Sequence, residues 1–197
     1  MFLKDFTRTA TPGSITPVTV PAVHRVRPAT GLTGGTLIET ETGWHMAADL
    51  RIGQRVHTLD GGAAMILGLD RRPVRDLPAI RIPGGLAETC SDLILPCDQY
   101  LLTDTLRDPH MPDLDLVLIP ARAWASQPCV TEIRYTGEII TPLFADEEIL
   151  WANSGALLHC PAITTGPGRL PLDGFFLPLP EAEARAFLTR RAQLALA

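Results

Sequence analysis

The stretch Gly31-Leu32-Thr33-Gly34-Gly35-Thr36-Leu37-Ile38-Glu39-Thr40 and, a little further on, Gln54-Arg55-Val56-His57-Thr58-Leu59-Asp60-Gly61-Gly62 decide the fold. In both, a short run rich in β-branched and apolar residues ends on turn residues, the signature of a strand rather than a helix. Asp-Gly between two apolar runs is a strong hairpin signal because both residues tolerate positive φ; it predicts that Val56–Leu59 pairs with Ala64–Leu69. Working outward, the same reading gives strands at Thr36–Thr40 (before a turn at Glu41-Thr42-Gly43), Ala79–Ile82, Leu93–Leu95, Tyr100–Leu102, Asp115–Ile119, Glu138–Leu143 and Glu148–Trp151. Short strands with a turn every ten or so residues predict a mostly β fold.

Three regions follow. Residues 1–30 are rich in Thr and Pro, have no helical periodicity, and read as an extended N-terminal arm with one edge strand at Val18-Thr19-Val20. Residues 31–165 form the β domain, with one helical turn at Pro120–Ala125. Residues 166–197 supply a linker, Gly166–Pro171, and a C-terminal α-helix that starts near Pro180 with Glu181 and Glu183 in its first turn and Arg190 and Arg191 towards its end. Ala184, Phe187, Leu188, Ala192 and Ala195 share one face of that helix, which predicts that it docks.

With 197 residues the chain suits one domain plus tails, large enough to bury an apolar core without staples. Eighteen prolines and sixteen glycines punctuate it. The formal charge of −5, with no basic run, argues against nucleic acid as a partner. The absence of a secretory h-region near Met1 and of any apolar run of ~20 residues argues against a membrane partner and leads to the expectation of a cytoplasmic protein. Cys90, Cys97, Cys129 and Cys160 lack CxxC spacing and read as free thiols, and His159 beside Cys160 has no partner doublet, so no metal and no cofactor is expected. His24, His45, His57, His110 and His159 are scattered and read as surface or satisfied core histidines; Trp44, Trp124 and Trp151 read as residues that pack the core or an edge. Asp104, Asp108, Asp113 and Asp115 lack calcium-loop spacing and read as a solvated loop.

The opening Gly31–Thr40, followed by Gly43, Ala48-Asp49-Leu50, Ile52-Gly53-Gln54-Arg55-Val56 and Asp60-Gly61-Gly62, resembles the opening of the Hint (Hedgehog/intein) domains of bacterial proteins. Asp92–Leu102 is similar to that family's strand carrying a Ser/Thr-x-x-His element, Val117–Ala123 to its Val-Pro-Ala stretch, and Glu147–Gly155 to its closing Ala-Asn-Gly strand. The resemblance implies a Hint-like β fold and the chemistry of autoprocessing and protein splicing. In that chemistry an N-terminal Cys attacks the preceding carbonyl, converting a peptide into a thioester, while the Ser/Thr-x-x-His pair holds the scissile peptide and protonates its nitrogen.

Here the nucleophile position falls at Gly31, the Ser/Thr position at Leu95, the His position at Asp98, and the closing Asn at Asn153. The first three have lost the functional group, so the resemblance implies a degenerate member, inactive in self-cleavage and acting as a structural or binding module for a peptide or protein. The alternative is residual single-turnover self-cleavage, with a Thr30 or Thr33 hydroxyl as nucleophile or with Asn153-Ser154 as an Asn-plus-hydroxyl junction. Whether the chain is an enzyme is left between these two readings.

Overall fold

The structure is a computed structural model that describes residues 30–59, 62–105, 108–165 and 176–195. Alternation sets its strands: in Leu37–Thr40 the side chains of Ile38 and Thr40 are buried while Leu37 and Glu39 are half-buried, the period of two that a sheet facing a core demands. The described residues form β1 (Leu32–Thr33), β2 (Leu37–Thr40), β3 (Gly43–Met46), β4 (Arg55–His57), β5 (Ala63–Met65), β6 (Gly68–Ile82), β7 (Leu93–Pro96), β8 (Tyr100–Asp104), β9 (Leu116–Pro120), β10 (Thr131–Leu143), β11 (Glu148–Ala152), β12 (Ala156–Cys160), β13 (Leu177–Pro178) and the helix α1 (Glu181–Ala195). The fold is therefore mostly β with one C-terminal α-helix. One sheet runs β1-β10-β6-β7; the other runs β13-β9-β8-β12-β11-β2-β4-β5, with β3 added to β2. A core of wholly buried side chains, among them Leu32, Ile38, Ile80, Leu95, Ile119, Ile140 and Leu158, draws on both sheets.

The predicted hairpin forms, but shorter than expected. β4 pairs with β5 with Val56 opposite Ala64 and Arg55 opposite Met65; Asp60 and Gly61 themselves lie outside the described residues. Beyond Met65 the buried Ile66 and the 2.8 Å bond from the Leu67 N–H to the Leu143 carbonyl carry the chain into the other sheet. Leu69 consequently belongs to β6, opposite Pro142, and Thr58 bridges Leu150.

The strands expected at Ala79–Ile82 and Glu138–Leu143 are the ends of a much longer ribbon, β6 with β10, paired from Thr131 opposite Arg81 to Leu143 opposite Gly68. Pro73 and Pro78 sit where β7, which covers only Ala79–Ile82, leaves one edge of β6 open, the place in a sheet that tolerates a residue without an N–H.

The expected turn at Glu41-Thr42 joins β2 to β3, with Thr40 opposite Gly43. The helical turn takes 3-10 form over Ala121–Ser126, and α1 packs on it through the buried Ala184, Phe187 and Leu188. The N-terminal arm before Thr30, its strand at Val18–Val20, and the linker Gly166–Pro171 lie outside the described residues. No helix among the described residues is long and apolar enough to cross a membrane.

Asp104 and Asp108 are not the solvated residues that their loop suggested. Arg190 donates from Nε (2.9 Å) and Nη2 (2.6 Å) to Asp108 Oδ2, and Arg191 donates from Nη1 to the Asp104 carbonyl (2.8 Å) and to Oδ1 (3.1 Å). The partners lie more than eighty residues away in sequence, so local pattern carries no sign of them. Asp113 and Asp115 are exposed, as expected.

Burial raises the Asp108 carboxyl, but the Arg190 guanidinium and the His110 N–H outweigh it and hold the group below the usual carboxylate range. A pKa depressed by folding adds stability that is present above pH ~4 and is lost as pH falls through the folded value. Asp108→Asn is therefore expected to lower the unfolding free energy at neutral pH by about 1.5–3 kcal/mol, and to flatten the decline below pH ~4; urea denaturation across that pH range measures both.

Candidate functional site

β1 lies against β10 with Leu32 opposite Ile140, which sets Gly31 between the side chains of Ile139 and Thr141. Gly31 has φ +119°, and a Cβ there would stand 2.6 Å from both Ile139 Cγ2 and Thr141 Oγ1. Both atoms sit on stiff β-branched side chains, so backbone conformation and space alike demand glycine.

The Gly31 N–H donates to Gln99 Oε1 at 2.8 Å. Gln99 is buried (2 % exposed), and its Nε2 donates to the Tyr100 carbonyl at 3.0 Å and to the His159 carbonyl at 2.8 Å. Both ends of this amide are thus occupied by backbone from β1, β8 and β12. The tight connection from β7 to β8 presents it: the Gln99 N–H bonds to the Pro96 carbonyl, and the Gln99 carbonyl accepts from the Ala121 N–H at 2.7 Å.

Leu95 is wholly buried on β7, opposite Ile80, and belongs to the core. Asp98 forms an ion pair with Arg122. Gly31 is therefore met by Gln99, the residue after Asp98. Sequence reasoning missed Gln99 because an uncharged amide carries no chemical signal; its adjacency to the Asp98 position was the one available clue.

Cys97, Asp98 and Arg122 line an open cleft of ≈ 590 Å³ together with Arg72, Glu132 and Arg185. Burial pushes the Cys97 thiol up, against the opposing pull of Arg122, so at neutral pH it is a protonated and poor nucleophile. All four cysteines are free; Cys90 and Cys129 are exposed, and Cys160 is buried with its thiol pushed up by desolvation.

Asn153 sits elsewhere, in the turn from β11 to β12. Its Oδ1 accepts from the Leu37 N–H at 2.9 Å, and its Nδ2 donates to Ser91 Oγ at 3.0 Å and to the Asp92 carbonyl at 2.9 Å. Asn153 and Ser154 have φ of +46° and +70°, and the Gly155 N–H closes the turn on the Ala152 carbonyl at 3.1 Å, the geometry of a tight hairpin turn. A Cβ on Gly155 would run into the Glu88 carbonyl oxygen. The Thr33 hydroxyl donates to the Ile94 carbonyl at 3.0 Å and lies 3.1 Å from that of Thr36.

His159 is buried, with Nε2 2.7 Å from Glu147 Oε1, a satisfied core histidine. Trp124 is buried, whereas Trp44 is 41 % exposed on β3. Among the described residues no group of three or more His, Cys, Asp and Glu side chains is placed to hold a metal ion.

No family model matches this chain, and no curated protein does. Solved structures similar to it are intein domains. A bacterial intein-like domain from Clostridium thermocellum has TM-score 0.44 and 12% identity, with 66% of this chain and 98% of that one covered. The Msm DnaB1 intein splicing domain, solved bound with zinc, has TM-score 0.43 and 12% identity over 66% of this chain and 98% of its own. The gp41-1 intein has TM-score 0.42 and 12% identity over 66% and 97%.

Gln99→Leu leaves the buried Gly31 N–H and two carbonyls without their partner, and is expected to cost about 2–4 kcal/mol in urea denaturation. Gly155→Ala forces a Cβ onto the Glu88 carbonyl oxygen and is expected to cost about 1–3 kcal/mol. Gly35→Ala, where an added Cβ meets nothing within 4 Å, is the matched control, with an expected change within about 0.5 kcal/mol.

Proposed function

We propose that this chain is a Hint-like domain that has lost self-processing and serves as a structural and peptide- or protein-binding module. The observation that carries the reading is the filled position at Gly31: no side chain is present, none fits beside Ile139 and Thr141, and the N–H is held by a glutamine. An acyl shift needs a nucleophile there and a group able to give a proton to the departing nitrogen. The Gln99 amide does not titrate near neutral pH, and its Nε2 protons go to the Tyr100 and His159 carbonyls.

Support for the Hint-like half of the reading comes from neighbours in space. The four segments that carry the sequence resemblance touch one another through Gly31 with Gln99, Leu37 with Asn153, and Ala121 with Gln99. The cleft beside Cys97, Asp98 and Arg122 is the surface available for a peptide. Residual cleavage is disfavoured with Thr33 as nucleophile, whose hydroxyl is engaged, and at Asn153, whose amide would have to close on its own carbonyl but is tied by three bonds.

Intact-mass spectrometry of the purified full chain over several days, with and without hydroxylamine or a thiol, tests this. The expected result is one unchanged mass; fragments ending near Thr30–Thr33 or at Asn153 overturn the reading. Gly31→Cys is expected to be less stable by about 1–3 kcal/mol and to remain uncut.

A further inference from the structure

Across the ribbon from Ile139, one of the residues that close around Gly31, stands Arg72 on β6. Arg72 and Val74 are half-buried while Arg71, Pro73 and Arg75 are exposed, so the alternation of the strand turns Arg72 and Val74 to one face. Together with Leu77 and Pro78 they form the β6 wall of the ≈ 590 Å³ cleft beside Cys97. That wall is an apolar strip that begins with a guanidinium.

The other cations of the cleft are spoken for: Arg122 pairs with Asp98, and Arg185 with Glu181 at 2.9 Å. Arg72 differs. Among the described residues its guanidinium has no hydrogen-bond or ion-pair partner, and its Nε is sealed from solvent without an acceptor. Neither Nη group is sealed, so the donors at the tip of the side chain meet open space where Arg72 lines the cleft. Glu132, the remaining acid of the cleft, stands opposite Ile80, towards the other end of the ribbon. A partly buried guanidinium with unmatched N–H donors is suited to an anion, and its planar fork fits a carboxylate through two parallel bonds.

The open edge of β6 narrows which carboxylate fits. A peptide added along this edge as a strand would meet no N–H at Pro73 or Pro78, and proline on an edge works against such pairing. A chain end needs no ladder, because its last residue carries a carboxylate and a side chain on the same Cα, matching Arg72 next to Val74 and Leu77.

We propose that the cleft binds the free C-terminus of a peptide ending on an aliphatic residue, with the terminal carboxylate on the Arg72 Nη groups and the last side chain against Val74 and Leu77. The assignment rests on the reading of this cleft as a peptide site, and is independent of whether self-processing is lost.

The probes are acetyl-Ala-Val-Leu with a free C-terminus, the same tripeptide as its C-terminal amide, and the amide of acetyl-Ala-Asp-Leu, whose carboxylate is on a side chain. Titration of the free acid into ¹⁵N-labelled full-length protein is expected to give saturable shifts of the Arg72 Nε–H resonance, identified by its absence in Arg72→Gln, and of the Val74 and Leu77 amides. Each of the two amides is expected to bind about tenfold more weakly, the worth of a charge-assisted hydrogen bond. Arg72→Gln is expected to lower affinity for the free acid by a similar factor and to leave that for its amide unchanged. Arg75→Gln, which removes the same charge from the exposed face, is expected to change affinity by less than about threefold, since a solvated charge is screened. Circular dichroism and the melting temperature report that both variants are folded. The proposal is overturned if the free acid shifts none of these resonances up to its solubility, if either amide binds as tightly as the acid, or if folded Arg72→Gln binds the acid as the parent chain does. Should no probe bind, the peptide-site reading falls with it; should the amides bind as well as the acid, the cleft remains a peptide site without recognition of a chain end.

Discussion

One buried amide joins the two sheets of the described residues. Gln99 receives the N–H that opens β1 and gives its own two protons to carbonyls on β8 and β12, so a four-stranded sheet and a larger one are tied at a single side chain. Burying an amide is favourable only when its donors and acceptor are all matched. That condition fixes the neighbourhood. Gly31 has to present a bare N–H, Ile139 and Thr141 have to close around it, and the β7–β8 connection has to be tight enough to aim Gln99 inward. Asn153 repeats the device, tying β2 to the segment that leads into β7.

The same constraint separates architecture from chemistry. At Gly31 a side chain would have to displace β-branched neighbours, and Asp98, in the turn beside it, is committed to Arg122. Near the start of β1 the Gly31 N–H is bonded to Gln99 and the Thr33 hydroxyl to the Ile94 carbonyl, so these polar groups help hold the fold.

Much of this was legible in the chain and some was not, for physical reasons. Short apolar and β-branched runs ending on turn residues exposed β2, β4, β8, β9 and β11, and the amphipathic spacing of Ala184, Phe187 and Leu188 exposed α1, whose buried face is the one they share. The middle of β6, Asp70-Arg71-Arg72-Pro73-Val74-Arg75-Asp76, escaped because its side chains are at most half-buried and, Val74 apart, are charged or proline, so the alternation of burial leaves no apolar pattern to read. Asp104 and Asp108 resembled loop acids until arginines from the far end of the chain came to meet them. That Gly31 carries no side chain was plain in the sequence, whereas Gln99 was silent, since its importance lies entirely in where three backbone groups happen to converge.

The pairing of Leu32 with Ile140 and of Ile38 with Ala152 also sets the order of events in time. Each contact spans more than a hundred residues, so β1 gains its sheet neighbour β10, and β2 its second neighbour β11, only when nearly the whole domain has been synthesised. Only short hairpins such as β2–β3, β4–β5 and β11–β12 can close locally beforehand. A topology of this kind has high contact order and folds slowly compared with helical domains of its size. During that interval Leu32 of β1 and Ile38 of β2, wholly buried in the finished core, lack that cover, and transiently exposed apolar surface of this kind favours aggregation.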